Sequence, residues 1–169
     1  VKNQSTIFGN LPYNISSQIL VKILKFKKWP PKFFNLVFMF QKELGEKIIG
    51  PYQSNNYGRL SILSNLRLKT INKFYISPNC FKPKPKVNSI VIHFKSKKEL
   101  FNIKNISQLE KVTNIFFSNK RKMINKTLKK LKIDDSKFLK DQNIDITLRP
   151  ENLSESLYYK ITEYYEKKS

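Results

Sequence analysis

From Asn35 to Phe40 the chain reads Asn-Leu-Val-Phe-Met-Phe, with five apolar residues in succession. A strand with one wet face alternates apolar and polar side chains. An unbroken apolar run of this length marks a central strand covered on both faces. Helical patterns flank it. Ile15 to Phe26 carries an apolar stripe at Ile19, Leu20, Ile23 and Leu24, with Ser16 or Ser17 placed to cap it and Trp29-Pro30-Pro31 to break it. Gln41 to Ile49 is a second short helix, closed by Gly50-Pro51. Thr6 to Gly9 reads as a short buried strand ahead of both. The order strand, helix, strand, helix restricts the fold to the α/β class.

Further on, Arg59–Leu68 has helical character. Ile71–Ile76 and Ser89–Phe94 read as two strands of an antiparallel pair. The whole is expected to be the end of a three-layer α/β sheet. A boundary is expected near Ser96-Lys97-Lys98, dividing residues 1–98 from a helical tail over 99–169. The tail should hold helices at Ile106–Phe117, Arg121–Leu131, Ser136–Lys140 and Ser154–Glu166. In the second of these, Ile124, Leu128 and Leu131 should point inward and Lys122, Lys126 and Lys129 outward. The tail is too small and polar for much stability of its own, so it should dock on the first part. A buried strand six residues from Val1 needs neighbours on both sides, so the chain reads as the later part of a longer protein.

Several function classes fall away on counts. There is one cysteine, Cys80, and one histidine, His93, in an alternating strand-like run. That excludes a disulfide framework, leaves no Cys-based zinc site, and disfavours Ser-His-Asp or Cys-His chemistry. No metal is expected. No apolar run reaches the length of a membrane span, so no membrane partner is expected either. The charge points the other way. The 33 basic and 12 acidic residues give a net charge of +21. A polyanion, and nucleic acid first, is the natural partner. Only Arg59, Arg67, Arg121 and Arg149 are arginines and alanine is absent, so an AT-rich genome contributes to the lysine content. Such a bias does not suppress Asp and Glu equally. Residues 1–98 hold 18 basic residues against 2 acidic ones. The tail concentrates its own excess between Lys104 and Lys132.

Asn10-Leu11-Pro12-Tyr13 follows the first strand and precedes the first helix, where open α/β sheets bind ligands. These residue types suit one task, the handling of an exocyclic amino group on a base. That nitrogen is a poor nucleophile because its lone pair is delocalised into the ring. Two acceptors aimed at its N–H bonds favour a pyramidal nitrogen and stabilise the charge that develops on attack. The Asn10 side-chain oxygen is one such acceptor and the Leu11 carbonyl the other. Pro12 stiffens the turn, and Tyr13 offers a stacking face to an extruded base. No general base is required.

Six segments in order resemble the ribosomal RNA adenine N6-dimethyltransferase family, in its small-subunit branch. Residues 9–16 (GNLPYNIS) are similar to its fourth methyltransferase motif, Gln41-Lys42-Glu43 to its QKE element, and residues 57–61 (YGRLS) to its YGxLS element. Residues 81–89 (FKPKPKVNS) are similar to F-x-P-x-P-x-V-x-S, residues 116–128 (FFSNKRKMINKTL) to its basic C-terminal stretch, and residues 148–153 (LRPENL) to its R-x-E-x-L.

The resemblance implies the later part of a Rossmann-like, S-adenosylmethionine-dependent methyltransferase sheet followed by a small helical RNA-binding domain. It implies dimethylation of two adjacent adenosines near the 3′ end of small-subunit rRNA, by a cytoplasmic and monomeric enzyme active in ribosome assembly. Asn10 would meet both S-adenosylmethionine and the target nitrogen. Asn10, Leu11, Pro12, Tyr13 and Phe81 would form the catalytic pocket, with Tyr13 and Phe81 sandwiching the adenine. Lys82, Lys84 and Lys86, between rigid prolines, would hold phosphates, as would Lys120, Arg121 and Lys122. Gln41 and Glu43 would position the helix and loop around the site. His93 is expected to be an ordinary strand side chain and Cys80 an ordinary small residue beside Phe81. Two features depart from the family. The four glycines include no G-x-G, so the glycine-rich donor loop is missing from these 169 residues. Lys120-Arg121 stands where the family has Arg-Arg, which keeps the charge and loses one bidentate fork. The competing readings are the large-subunit rRNA methyltransferases of the macrolide-resistance type and a non-catalytic RNA-binding or assembly module. YGRLS and the basic helical stretch favour the small-subunit branch.

Overall fold

The computed structural model describes residues 5–98 and 101–168. Strands β1 (Ser5–Asn10), β2 (Phe33–Gln41), β3 (Leu68–Ile76) and β4 (Ser89–Ser96) form one sheet in the order β1-β2-β4-β3. The pair β1–β2 is parallel, and β2–β4 and β3–β4 are antiparallel. Helix α1 (Ser16–Leu24) makes the crossover between the two parallel strands. Helices α2 (Lys42–Ile48) and α3 (Arg59–Arg67) lead from β2 to β3. Beyond β4 come α4 (Ile106–Phe117), α5 (Asn125–Lys130), α6 (Ser136–Asp141) and α7 (Glu155–Lys168).

One face of the sheet supplies the core. Leu36, Phe38 and Phe40 of β2 and Ile90, Ile92 and Phe94 of β4 are buried, together with Leu20, Leu24, Ile62, Leu63 and Leu66 of the overlying helices. The tail adds Leu109, Val112 and Phe116 of α4 and Tyr158 and Ile161 of α7 to the same core, so it docks as expected. Buried hydrogen bonds tie the seam. Tyr159 Oη donates to the Ile62 carbonyl and Tyr57 Oη to the Leu153 carbonyl, each at 2.8 Å. Burial pushes the Tyr57 hydroxyl far above its ordinary pKa, so it stays a donor.

Gly45 shows how tightly α2 sits on the sheet. A Cβ there would lie 2.2 Å from Ile90 Cγ2. Alanine is the better helix former by about 1 kcal/mol, but overpacking costs about 1–3 kcal/mol. Gly45→Ala is therefore expected to lower the thermal midpoint, and a raised midpoint in a melting curve would contradict this packing.

Five expectations need correction. The first strand is not buried: Phe8 is 75% exposed, because β1 pairs only with β2 among the described residues. The run in β2 is not covered on both faces. Val37 and Met39 are half-buried, since the described helices overlie only the face of Leu36, Phe38 and Phe40. The described layers are accordingly two, plus the tail, rather than three. Neither Ser16 nor Ser17 caps α1; Ile15 holds that position, and Ser16 Oγ instead donates to the Tyr13 carbonyl at 3.2 Å. Finally, no helix spans Arg121–Leu131. The Ile124 and Asn125 amides donate to the carbonyls of Leu148 and Ile146, at 2.9 and 3.2 Å, and not to the preceding turn. Helix α5 therefore starts at Asn125, and Lys122 lies on a turn ahead of it. At the two ends of α5 and inside it, Ile124, Leu131 and Leu128 are buried as the pattern required.

Candidate functional site

The parallel pair ends at Asn10, which stands opposite Met39. Two residues further along β2, Gln41 stands opposite Ser89, the first residue of β4. The carboxyl ends of β1 and β2 thus converge on the start of β4. Gly9 permits this approach, since a Cβ there would meet the Phe38 ring at 2.9 Å and Leu11 at 3.0 Å. The chain leaves β1 through Leu11-Pro12-Tyr13, and the Ile15 amide closes the turn on the Pro12 carbonyl at 3.1 Å.

The loop from β3 to β4 faces this turn. Ser77 caps a single 3-10 turn at Pro78–Cys80, and the Phe81 amide donates to the Pro78 carbonyl at 3.2 Å. Together the two loops border an open cavity of about 240 Å³, lined by Asn10, Leu11, Pro12, Tyr13, Met39 and Phe81 with Pro83 and Pro85. The five residues expected to form a catalytic pocket from segments some 70 positions apart are all in its wall. Tyr13 is held from behind: its hydroxyl and the Oγ of fully buried Ser89 are 2.5 Å apart. The only titratable group in the lining is the Tyr13 phenol; no carboxylate or imidazole is there. The wall therefore offers acceptors and apolar faces, and suits orientation of a base more than proton removal.

Two contributors escaped the sequence reading. Met39 forms part of the lining because alternation along β2 turns it away from the core. Ser89, the last residue of the F-x-P-x-P-x-V-x-S string, had no role until the Tyr13 hydrogen bond assigned one. Its place in the motif was the signal.

Lys82 and Lys84 alternate with these prolines and are exposed. Lys86 belongs instead to a neighbouring concavity of about 430 Å³ with Gln41, Lys42, Glu43 and Glu46. Glu43 pairs with Lys47 at 2.7 Å, which holds its carboxyl below the usual range, and Glu46 accepts from Tyr75 Oη at 3.2 Å. Both acids are thus engaged beside the pocket and not in it. Lys120, Arg121 and Lys122 are exposed on the turn after α4 and do not line this cavity; Lys120 borders a hollow shared with Gln53, Tyr57 and Phe117. Cys80 is exposed. His93 Nε2 lies 2.9 Å from Asn35 Oδ1 across the β2–β4 pair and has no place in the pocket. Among the described residues no cluster of His, Cys, Asp or Glu could hold a metal, and no helix is long and apolar enough to cross a membrane.

The family model described as ribosomal RNA adenine dimethylase matches residues 1–167. The chain is 42% identical over 164 residues to the ribosomal RNA small subunit methyltransferase A of Pelagibacter ubique, covering 95% of this chain and 62% of that protein. It is 39% identical over 147 residues to the protein of the same name in Xanthobacter autotrophicus, covering 87% of this chain and 51% of that one. The chain thus spans about half to three-fifths of the length of these relatives. A crystal structure of a dimethyladenosine transferase from Plasmodium falciparum superposes with a TM-score of 0.76 at 24% identity, over 97% of this chain and 67% of the other. The 23S rRNA methyltransferase ErmE superposes less well, at 0.60 and 18% identity, over 95% of this chain and 65% of its own. Both likenesses place the sheet in the α/β methyltransferase fold.

Proposed function

The chain belongs to the ribosomal RNA adenine dimethylase family, and from that premise we propose that it supplies the substrate-facing half of an S-adenosylmethionine-dependent enzyme that dimethylates N6 of two adjacent adenosines near the 3′ end of small-subunit rRNA. The observation that carries the reading is the cavity between residues 10–13 and 81–85. Two aromatic residues from separate loops, Tyr13 and Phe81, share one small space there with Asn10 and Leu11. Its volume of about 240 Å³ falls below the roughly 300–1,000 Å³ of sites that enclose a drug-sized ligand. It suits one planar base.

In this reading an extruded adenine enters between Tyr13 and Phe81, with Met39 beneath it. The Asn10 side-chain oxygen and the Leu11 carbonyl accept the two N6–H bonds. Directing both hydrogens to one side draws the lone pair out of the ring and stabilises the charge that develops on nitrogen. Ser89 fixes the Tyr13 hydroxyl and so the plane of its ring. The prolines shield the base from water. S-adenosylmethionine, when bound, supplies the methyl electrophile. Asn10 is the residue placed to meet it, and the glycine-rich donor loop belongs to a part of the enzyme outside these 169 residues. Residues 1–98 then form the later part of the catalytic domain, and 99–169 a helical rRNA-binding domain. Lys82, Lys84 and Lys86 hold phosphates beside the target, and Lys120, Arg121 and Lys122 hold them farther off. The small ribosomal subunit is the substrate, the enzyme works as a monomer, and its compartment is the cytoplasm.

The large-subunit alternative is not favoured, since the curated relatives are small-subunit enzymes. The deciding experiment is mass spectrometry of rRNA from undermethylated small and large ribosomal subunits after incubation with the full-length protein and S-adenosylmethionine. Dimethyladenosine is expected in the small-subunit RNA. Its appearance only in the large-subunit RNA, or in neither, would reject the assignment.

A further inference from the structure

The amino end of β2, at the far end of the sheet from the cavity, carries a further basic surface. A nine-residue strand separates the two ends by about 26 Å. Residues 25–32 form a loop that is firmly held. The Arg67 guanidinium donates to the carbonyls of Leu24 and, at 2.8 Å, of Phe26. It also lies over the Trp29 ring at 4.8 Å, and Trp29 Nε1 donates to the Lys97 carbonyl at 2.9 Å. On this frame sits a concavity of about 530 Å³ with a floor of Phe26, Phe33 and two prolines, rimmed by Lys27, Lys28 and Lys32. Phe26 is 43% exposed, with its ring edge-on to Phe33 at 6.3 Å. The three lysines are exposed.

The surrounding field is positive. Glu43 is the first acidic residue in the chain. The sheet register sets Lys95 beside Lys69 at this end, and Lys95 Nζ lies over the Phe34 ring at 4.3 Å. Burial pushes the nearby Lys97 ammonium down; Glu155 opposes this shift and Lys69 adds to it. Glu155 is itself engaged by Asn65 at 2.6 Å.

We propose that Lys27, Lys28 and Lys32, grouped around Phe26, form a further RNA-contact surface, separate from residues 82–86 and 120–122, that grips a phosphodiester strand of the substrate remote from the adenosine being methylated. The inference rests on the RNA methyltransferase reading above. Three cations on a rigid loop match the regular charge of a backbone, and an exposed ring between them offers a stacking face to a base. A ribosomal subunit extends far beyond 26 Å, so the polyanion held at the cavity also reaches this end. An acidic protein segment is the rival occupant, and phosphates are favoured over carboxylates because the substrate already presents them at this end.

The test uses the full-length enzyme with Lys27, Lys28 and Lys32 all changed to Gln, and separately with Phe26→Ser. Methylation kinetics are compared on small ribosomal subunits, on protein-free small-subunit RNA and on a short hairpin carrying the target adenosines. The triple variant should raise KM about tenfold or more on both large substrates and leave kcat and KM on the hairpin unchanged. Its log K against log salt for RNA binding should flatten by about 2–3, one phosphate per lysine. Phe26→Ser should raise KM with no change in salt slope. Unchanged kinetics on the large substrates would overturn the proposal, as would equal losses on all three, which would make the loop a support of the catalytic pocket. A loss confined to intact subunits would assign the surface to a ribosomal protein. A wild-type enzyme that methylates none of the substrates would overturn the functional reading itself.

Discussion

Asn10→Ala in the full-length enzyme is expected to reduce single-turnover methylation of small ribosomal subunits by a hundredfold or more while leaving RNA affinity nearly unchanged. Asn10 ends β1 at the wall of the cavity, and in the proposed reading its side-chain oxygen meets the amine as charge develops. An interaction that strengthens in the transition state lowers kcat when it is removed. The loss of one pre-organised partner for developing charge costs about 3 kcal/mol. Tyr13→Ala should behave differently. It removes one wall of the sandwich, so capture of the flipped base weakens and apparent affinity falls with the rate. Tyr13→Phe gives up only the hydroxyl contact to Ser89 Oγ and keeps the ring, so its effect should be mild. Near-normal rates for Asn10→Ala beside an inactive Tyr13→Phe would reverse the assignment and make the phenol the chemical group.

The largest effect on stability is expected from Phe116→Ala. Phe116 is fully buried and meets Tyr158 edge-on at 5.4 Å, with the ring planes 78° apart. Tyr158 is itself fully buried and spends its hydroxyl on the Pro150 carbonyl at 2.8 Å. It cannot swing into the space left behind without giving up that bond. A Phe-to-Ala truncation in such a site costs about 3–5 kcal/mol, a large share of the roughly 5–15 kcal/mol that a domain possesses. The midpoint of urea unfolding, followed through Trp29 fluorescence, should fall accordingly, and Phe116→Leu should recover part of it. An unaltered midpoint would mean that the α4–α7 seam is not part of the cooperative core.

Most elements were legible before any coordinate. Periods of 3.6 and 2 are local properties, and the stripes in α1 and α4 and the apolar run of β2 announced themselves within a dozen residues. Helix α4 falls at Ile106–Phe117, where the pattern put it. The pocket residues were legible for a different reason. The turn after β1 holds residue types suited to one chemistry, and the Pro-rich loop before β4 holds a string similar to one of the family's motifs.

What the chain could not reveal locally was what stands on the other side of each element. The pattern of Thr6–Gly9 is apolar whether or not a neighbour covers it, and only the sheet order shows that β1 is an edge strand among the described residues, with Phe8 exposed. Lys122 has good helical spacing from Lys126 and Lys129, yet the carbonyls of residues 146 and 148 capture the amides that a continuous helix would have used. Such a competitor is more than 20 residues distant, and no local window contains it. Ser89 and Tyr13 are separated by 76 positions, and Trp29 and Lys97 by 68. The amino acids determined which segments are helical, which are extended and which bear chemistry. Long-range backbone pairing decided which segments meet, because a hydrogen bond or a buried face is defined by two partners and each sequence position describes only one.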